Sequence, residues 1–299
     1  MTETTSTASN ASDKSFEATF AAAFAPSHIT GFFAARRVDD PVKSGSIGCG
    51  LTLDLSAVTS VRPAEETWIR LNGELSEAPV SRYVVDRLAK SPVSVDTILK
   101  MPLGAGFGAS GAGALSCAYA LNSLFDLGLT SNQTGEAAHV AEVLNGTGLG
   151  DVMGQNTGGL VIRLLPGAPG TGKVDRIPIP RTRVDYIVRG PISTRAVLSD
   201  PKVMRDVNTE GEKALKELLA RPTLKSFMSL ARRFTLRTGL ASDWALDAIE
   251  AVEANGGMAS MIMLGDAVFA IGGENAAKAL EEFGEVGSTF ISDRGACLD

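Results

Sequence analysis

Cysteine and histidine are both scarce in this sequence. Its 299 residues include three cysteines, Cys49, Cys117 and Cys297, and only two histidines. Three widely spaced thiols are too few for a disulfide framework or a zinc site, and two histidines add too little to build a His/Cys metal centre. The composition therefore favours a protein of a reducing, cytoplasmic setting.

Long apolar runs and concentrated positive charge are missing as well. No uninterrupted apolar run approaches the roughly 20 residues that cross a bilayer. The formal net charge is −6, and no basic run is interleaved with aromatic residues. Binding to nucleic acid requires a basic face. We therefore expect neither a membrane nor a nucleic acid among the partners.

The sequence does contain ample apolar material for a core, with 44% hydrophobic and 21% charged residues. A chain of 299 residues exceeds what one core usually fills, so two domains are expected. Residues 1–15 are polar and lack the basic start and apolar stretch of a signal peptide, which predicts a disordered tail. We predict domains over residues 16–173 and 174–299, with the boundary in the proline- and glycine-rich segment 166–172.

The order of the predicted elements indicates the α+β class. The apolar stretch 16–24 is predicted to break at residues 26–31, and residues 145–159, with six glycines, are predicted to form a loop. Helices are predicted over Ala109–Leu124 and over 134–144, the second with Thr134 as its N-cap. The chain closes in the order helix, strand, strand, helix, strand, which fits an α+β sandwich better than a doubly wound parallel sheet.

A glycine-rich segment leads into the helix Ala109–Leu124. Its small residues allow close backbone approach and positive φ angles, and the N–H groups and dipole of the helix start favour an anion such as a nucleotide phosphate. Gly106, Gly108 and Gly111 also match G-x-G-x-x-G. However, a second helix follows, instead of the parallel strand that a dinucleotide-binding unit requires.

A second glycine-rich segment imitates a Walker A loop. Gly167, Gly172 and Lys173 have the spacing G-x-x-x-x-G-K, but Val174 stands where Ser or Thr must reach magnesium. The prolines at 178 and 180 prevent the following segment from opening a helix. We therefore interpret this segment as a linker.

Residues 102–112 (PLGAGFGASGA) resemble the phosphate loop of the GHMP kinases, the superfamily of galactokinase, homoserine kinase and mevalonate kinase. Residues 25–31 (APSHITG) stand where that family has its N-terminal substrate motif, and residues 255–265 (NGGMASMIMLG) resemble its C-terminal glycine motif. The sequence of the N-terminal motif, residues 25–31, is similar to that of archaeal-type pantoate kinases. The resemblance covers the chain from about residue 16 to its end.

This resemblance implies a two-domain α+β fold of the GHMP-kinase type, with a ferredoxin-like C-terminal domain. It also implies transfer of phosphate from ATP to the 4-hydroxyl of pantoate in coenzyme A biosynthesis, with Mg²⁺ as cofactor. The predicted nucleotide-binding residues are those of the phosphate loop: Pro102, Gly104, Ala105, Gly106, Phe107, Gly108, Ala109, Ser110, Gly111 and Ala112.

Phosphoryl transfer needs positioning and charge stabilisation more than covalent chemistry. Ser110, at the helix start, can offer its hydroxyl to magnesium or to a phosphate. Glu142 lies in a nearly apolar helical stretch, where a buried carboxylate requires a partner such as magnesium. Asp151 follows a glycine-rich lead and is the candidate to accept the proton of the substrate hydroxyl. These three residues are the predicted catalytic set, with Ser110 and Glu142 as metal ligands.

The predicted substrate-side residues are Ser27, His28, Arg37 and Arg163, of which Arg163 suits a carboxylate because its guanidinium is planar and forked. Three alternatives remain open. Another GHMP kinase would act on homoserine or an isoprenoid alcohol, a regulator on the same fold would bind nucleotide without turnover, and a merely structural α+β protein would leave the glycine loop unexplained. The oligomeric state is also open, and a homodimer is one possibility.

Overall fold

The structure, a computed structural model, describes residues 18–191 and 200–299. The predicted tail over residues 1–15 lies outside the described residues. The strands are β1 (Ala21–Arg36), β2 (Gly45–Pro63), β3 (Trp68–Leu71), β4 (Glu74–Leu75), β5 (Val93–Leu99), β6 (Leu160–Leu165), β7 (Lys173–Ile177), β8 (Arg183–Pro191), β9 (Met258–Met261), β10 (Gly265–Ile271), β11 (Gly287–Phe290) and β12 (Cys297–Leu298). The described helices are α1 (Pro79–Leu88), α2 (Ala109–Leu124), α3 (Ser131–Asn145), α4 (Asp151–Thr157), α5 (Pro201–Ala220), α6 (Leu224–Thr238), α7 (Asp243–Ala254) and α8 (Glu274–Glu281).

The first sheet is organised around the long strand β2. Along one edge β2 pairs antiparallel with β1, while along the other it pairs with β6 near its start and with β5 near its end. The path β12-β1-β2-β5-β3-β4 is antiparallel except where β3 runs parallel to β5. Because β2 is shared in this way, it holds β6 opposite residues 29–33, in the second half of β1, where the candidate site is found.

The predicted break at residues 26–31 is wrong, because β1 continues through this segment. Its register against β2 shifts at Pro26/Ser27 and again between Thr30 and Phe32, so two bulges accommodate the proline and Gly31 within the ladder. A Cβ on Gly31 would lie 2.6 Å from the Phe227 ring of α6. Gly31 is therefore explained by close packing of α6 on the strand.

Two further local predictions need correction. Helix α3 begins at Ser131 with Thr130 as its N-cap, and Thr130 and Gln133 form a reciprocal capping box; Thr134 lies inside the helix. The segment predicted as a loop contains the short helix α4. A Cβ on Gly154, within α4, would collide with the ring of His28, so tertiary packing selects a glycine that local propensity penalises.

The second sheet has the strand order β11-β8-β10-β9 and is antiparallel throughout. Along the chain, β8 is followed by helices, then β9, β10, α8 and β11, which is the split βαβ arrangement with additional helices. The predicted ferredoxin-like, α+β architecture is confirmed. None of the described helices combines the length and apolarity needed to cross a membrane.

The two predicted halves of the chain are joined by strand pairing and by aromatic packing. Strand β7 pairs with β6 in the first sheet, so the predicted boundary between residues 173 and 174 falls inside a strand of that sheet. Strand β12, at the end of the chain, also pairs with β1. The rings of Phe32 and Phe269, one from each sheet, lie 6.2 and 6.3 Å from the Phe227 ring. The division into two domains therefore stays a prediction.

Candidate active site

A cleft of about 890 Å³ opens between the two sheets beside the start of α2. The phosphate loop, the segment 75–81, the end of α3 and the segment from Asn145 to Asp151 form most of its walls, and the second half contributes Pro191, Met263 and Leu264. Ser110, Glu142, Asp151 and Arg163 all line it. The fold thus brings together four side chains that are far apart in the sequence.

The phosphate loop has a backbone that favours glycine. Gly104, Gly106 and Gly108 have φ angles of +71°, +83° and +65°. The loop also packs against the turn before β10, since a Cβ on Gly106 would lie 2.9 Å from the Met263 carbonyl oxygen. Helix α2 begins immediately afterwards without a side-chain cap. Its first N–H groups are available to an anion, as the sequence predicts.

Not every predicted residue of the loop reaches the cleft. Gly104, Gly106, Phe107, Gly108, Ala109 and Ser110 line it, whereas Pro102, Ala105, Gly111 and Ala112 do not. Ala105 and Ala112 are fully buried, and the Phe107 ring packs edge-on against Tyr186 with centroids 5.1 Å apart. These contacts fix the loop from behind.

Glu142 is buried at the wall of the cleft. Its Oε1 accepts hydrogen bonds from Ser110 Oγ at 2.6 Å and from Thr147 Oγ1 at 2.7 Å. Among the described residues, no cationic nitrogen lies within 4.0 Å of its oxygens. Burial raises the pKa of Glu142 to about 7, against the lowering effect of the two hydroxyls and with a further rise from the nearby Asp151 charge.

The carboxylates of Glu142 and Asp151 face each other across Gly148. A Cβ on this glycine would collide with Glu142 Oε2 and lie 3.3 Å from Asp151 Oδ2. In the described chain no cluster of three or more His, Cys, Asp or Glu side chains could hold a metal ion. Magnesium, however, commonly takes one or two carboxylates together with substrate phosphates and waters. The Ser110 hydroxyl, the Glu142 carboxylate, which has no cation near it among the described residues, and the adjoining anion site fit that mode of binding.

Asp151 is the first residue of α4, and its side chain is 24% exposed. Its Oδ1 lies 2.8 Å from His28 Nδ1. Arg163 Nη1 lies 3.5 Å from His28 Nε2, and a guanidinium can only donate, so Nε2 is the acceptor and Nδ1–H donates to Asp151. Burial lowers the pKa of His28, which keeps the imidazole neutral in this arrangement.

The other predicted substrate-side residues differ in position. Ser27 and His28 are fully buried and do not line the cleft, so His28 meets Asp151 from behind. Arg37 is exposed beyond the end of β1 and does not line the cleft either. The sequence predicted a break in β1 at residues 26–31, but the strand continues to Arg36, and Arg37 follows it outside the cleft. The assignment of substrate contacts to these residues stays a prediction.

Arg163 lines the cleft although it is only 1% exposed. It lies on β6, with Nη2 3.4 Å from Thr30 Oγ1, and its Nε has no hydrogen-bond partner in the described chain. No carboxylate oxygen of the described residues lies within 4.0 Å of its nitrogens. Burial lowers the pKa of Arg163, against the raising effect of the nearby Asp151 charge. A buried guanidinium has lost its hydration, and an anionic ligand would offset that loss.

Two residues of the site were not identified from the sequence. Thr147 donates to Glu142, and Gln155 Nε2 donates to the Gly108 carbonyl at 2.7 Å. Gln155 lies one turn after Asp151, a spacing that could have indicated a shared face if α4 had been predicted. Lys173 of the Walker-like segment is exposed and outside the cleft, and the segment connects β6 to its neighbour β7 in the first sheet.

Comparison with known proteins identifies kinases as relatives of this chain, which agrees with a site built to hold phosphates. Residues 78–159 match the family model described as the GHMP kinases N terminal domain. The chain is 39% identical over 264 residues to a pantoate kinase of Thermococcus kodakarensis, covering 83% of this chain and 86% of that protein. It is 33% identical over 293 residues to a pantoate kinase of Methanospirillum hungatei, covering 94% and 97%.

Solved structures give the same result. A protein described as a phosphotransferase related to the coenzyme A biosynthesis pathway superimposes with a TM-score of 0.86 at 32% identity, covering 94% of this chain and 98% of that one. A homoserine kinase of Cytophaga hutchinsonii, at a TM-score of 0.69 and 16% identity over 97% of this chain, shares the fold. Together with the sequence relatives, these matches show that the chain belongs to the pantoate kinase family of the GHMP kinases.

Proposed function

We propose that this protein transfers the γ-phosphoryl group of ATP to the 4-hydroxyl of pantoate, giving 4-phosphopantoate and ADP in coenzyme A biosynthesis. The observation that carries the choice of substrate is Arg163, a buried guanidinium at the wall of the cleft that has no carboxylate partner among the described residues. Pantoate is a hydroxy acid, so its carboxylate can supply that partner. A cytoplasmic location is proposed with this reaction.

The nucleotide would lie along the cleft from its apolar end to the start of α2. Leu71, Leu75, Pro79 and Leu103 line the apolar end and suit a purine ring. The phosphates would then reach the phosphate loop, where the N–H groups of the helix start stabilise negative charge. This orientation directs the γ-phosphate towards Ser110 and Asp151.

Asp151 would act on the substrate hydroxyl. The hydroxyl oxygen attacks the γ-phosphorus, its proton passes to the Asp151 carboxylate, and the bond from the phosphorus to the bridging oxygen of ADP breaks. His28 donates from Nδ1 to Oδ1, which leaves Oδ2 as the oxygen that can accept the proton. His28 is therefore proposed to orient Asp151 from behind the cleft, in place of the substrate contact predicted from sequence.

Ser110 and Glu142 would hold Mg²⁺, which would neutralise charge on the phosphates when bound. The hydrogen bond from Ser110 to Glu142 already brings the two side chains together. A pKa of about 7 for Glu142 means that loss of its proton near neutral pH prepares the carboxylate for a cation.

A panel of acceptors tests this function. The purified protein is incubated with ATP and Mg²⁺ and with pantoate, homoserine, mevalonate or galactose, and ADP release is measured. We expect pantoate to stimulate ADP formation far above the others, and chelation of Mg²⁺ to abolish it. Equal or greater turnover with homoserine or mevalonate would overturn the choice of pantoate. Nucleotide binding without turnover on any alcohol would favour the regulator, and sedimentation of the same sample would test for a homodimer.

A further inference from the structure

Two successive carbonyl groups of the phosphate loop are held from behind by the rest of the protein. The Phe107 carbonyl accepts the backbone N–H of His28 at 3.1 Å. The Gly108 carbonyl accepts the side-chain Nε2 of Gln155 at 2.7 Å, as well as the Ala112 N–H at 2.9 Å. Gln155 is fully buried. The loop is thus tied to β1 and to α4, the helix that carries Asp151.

These hydrogen bonds determine where the neighbouring N–H groups point. A trans peptide is planar, so the carbonyl of one residue and the N–H of the next point in opposite directions. The Gly108 carbonyl is held both by the Ala112 N–H of the first helical turn and by Gln155 Nε2, so the Ala109 N–H is directed away from Gln155. Gly108 and Ala109 line the cleft whereas Gln155 does not, so the side away from Gln155 is where phosphate would bind.

The chemistry of Gln155 does not suit a purely packing role. Its Oε1 is buried and has no hydrogen-bond partner in the described chain, and burial of an unpaired amide oxygen is unfavourable. The opposite amide orientation would place Oε1 against the Gly108 carbonyl, which also only accepts. Packing alone would favour an apolar side chain of similar length, such as methionine. The donor at Nε2 is the feature that explains the glutamine.

We propose that Gln155 is a positioning residue for the phosphate site. It orients the Gly108–Ala109 peptide so that the Ala109 N–H donates to a nucleotide phosphate. Because Gln155 and Asp151 occupy successive turns of α4, the same helix also sets the distance between that phosphate and Asp151. This inference rests on the kinase function proposed above, but it concerns nucleotide phosphates alone and is testable without the acceptor.

Gln155→Met removes the donor and keeps the length of the side chain. Binding of ATP and of adenosine, which has no phosphate, is measured by calorimetry in the absence of pantoate. We expect ATP affinity to fall about 3–10-fold, as for loss of one hydrogen bond, while adenosine affinity stays within about twofold. In turnover, KM for ATP should rise and KM for pantoate should not. Gln133→Met, at the cap of α3, is the matched control and should change neither affinity.

Gln155→Glu provides a second variant with a side chain of the same shape. It should lower ATP affinity by a larger factor, because a carboxylate would face the Gly108 carbonyl. Equal losses of ATP and adenosine affinity, or a lower melting temperature with both affinities intact, would overturn the proposal. A fall in kcat at unchanged ATP affinity would overturn it too, because Gln155 would then act through Asp151. Failure of both variants to fold would show that the role of Gln155 is structural.

Discussion

At the scale of single residues, the cleft holds two buried ionisable groups that lack a partner of opposite charge within 4.0 Å among the described residues. Glu142 is 2% exposed and Arg163 is 1% exposed. Removing a charge from water without pairing it is costly. Ligands that complete the pairs, a cation at Glu142 and an anion at Arg163, would explain why both residues are placed there.

The first prediction concerns recognition of the substrate carboxylate. Arg163→Met should raise KM for pantoate at least about 10-fold, because a charge-assisted hydrogen bond contributes about 1.5–3 kcal/mol. Arg163→Lys keeps the charge but loses the planar, forked guanidinium, so its KM for pantoate should lie between those of the wild type and Arg163→Met. ATP binding should not change in either variant. Arg176→Met, on the neighbouring strand β7, is the control; an unchanged KM in Arg163→Met would move the carboxylate site elsewhere.

The second prediction concerns proton transfer. Asp151→Asn should lower kcat about 10²–10⁴-fold, the usual contribution of general-base catalysis, with little change in nucleotide affinity. Steady-state kinetics and calorimetry with ATP separate these two effects. Asp175→Asn, at an exposed position on β7, should behave like the wild type. Near-normal kcat in Asp151→Asn would remove its catalytic role.

The third prediction concerns pH and Glu142 in magnesium-free buffer. Burial raises the pKa of Glu142 from its ordinary value of 4.5 to about 7. Between these values the folded protein holds a proton that the unfolded chain releases, so this group's contribution to the free energy of unfolding falls as pH rises through that window. Urea unfolding should therefore show the wild type losing stability relative to Glu142→Gln as pH rises. Parallel curves would contradict the prediction, and Glu136→Gln, also on α3, is the control.

At the scale of elements, the sequence predicted those helices, strands and loops that depend on nearby residues and missed those that depend on contacts with distant parts of the chain. The phosphate loop, helix α2 and the closing α-β-β-α-β order follow from local composition and were predicted. The continuity of β1 depends on bulges against β2, and helix α4 depends on the fit of Gly154 against His28. Ser110, Glu142, Asp151 and Arg163 were identified from unfavourable settings or from the family resemblance. Gln155 was missed because its partner, Gly108, is distant in sequence.

The fourth prediction compares the two glycine-rich segments. Gly106→Val should reduce ATP affinity about tenfold or more, because a side chain there would push the phosphate loop away from the Met263 carbonyl. Lys173→Ala should leave ATP affinity unchanged, since this lysine is exposed and outside the cleft. Gly239→Val, which has a similar φ of +64° but open space around it, controls for backbone strain. A large loss of ATP binding in Lys173→Ala would identify the other segment as the phosphate loop.

At the scale of the whole molecule, the active site and the core both extend across the two sheets. Met263 and Leu264 line the cleft beside the phosphate loop, which packs against the turn before β10, and β12 returns to the first sheet after the second is complete. The Phe227 side chain of α6 is fully buried and contacts aromatic rings from each sheet. Mutual support of this kind favours cooperative folding of the two halves over independent folding.

The last prediction tests that cooperativity. Phe227→Ala should lower the free energy of unfolding by about 3–5 kcal/mol, the usual cost of truncating a buried aromatic ring. Because this ring packs between Phe32 of β1 and Phe269 of β10, we expect one transition, shifted as a whole, when urea unfolding is followed by circular dichroism and by tryptophan fluorescence from Trp68 and Trp244. Leu236→Ala, on the same helix but 47% exposed, should change stability by much less. Two separate transitions, with only the one reported by Trp244 displaced, would instead establish two independently folding domains and place Phe227 in the core of the second alone.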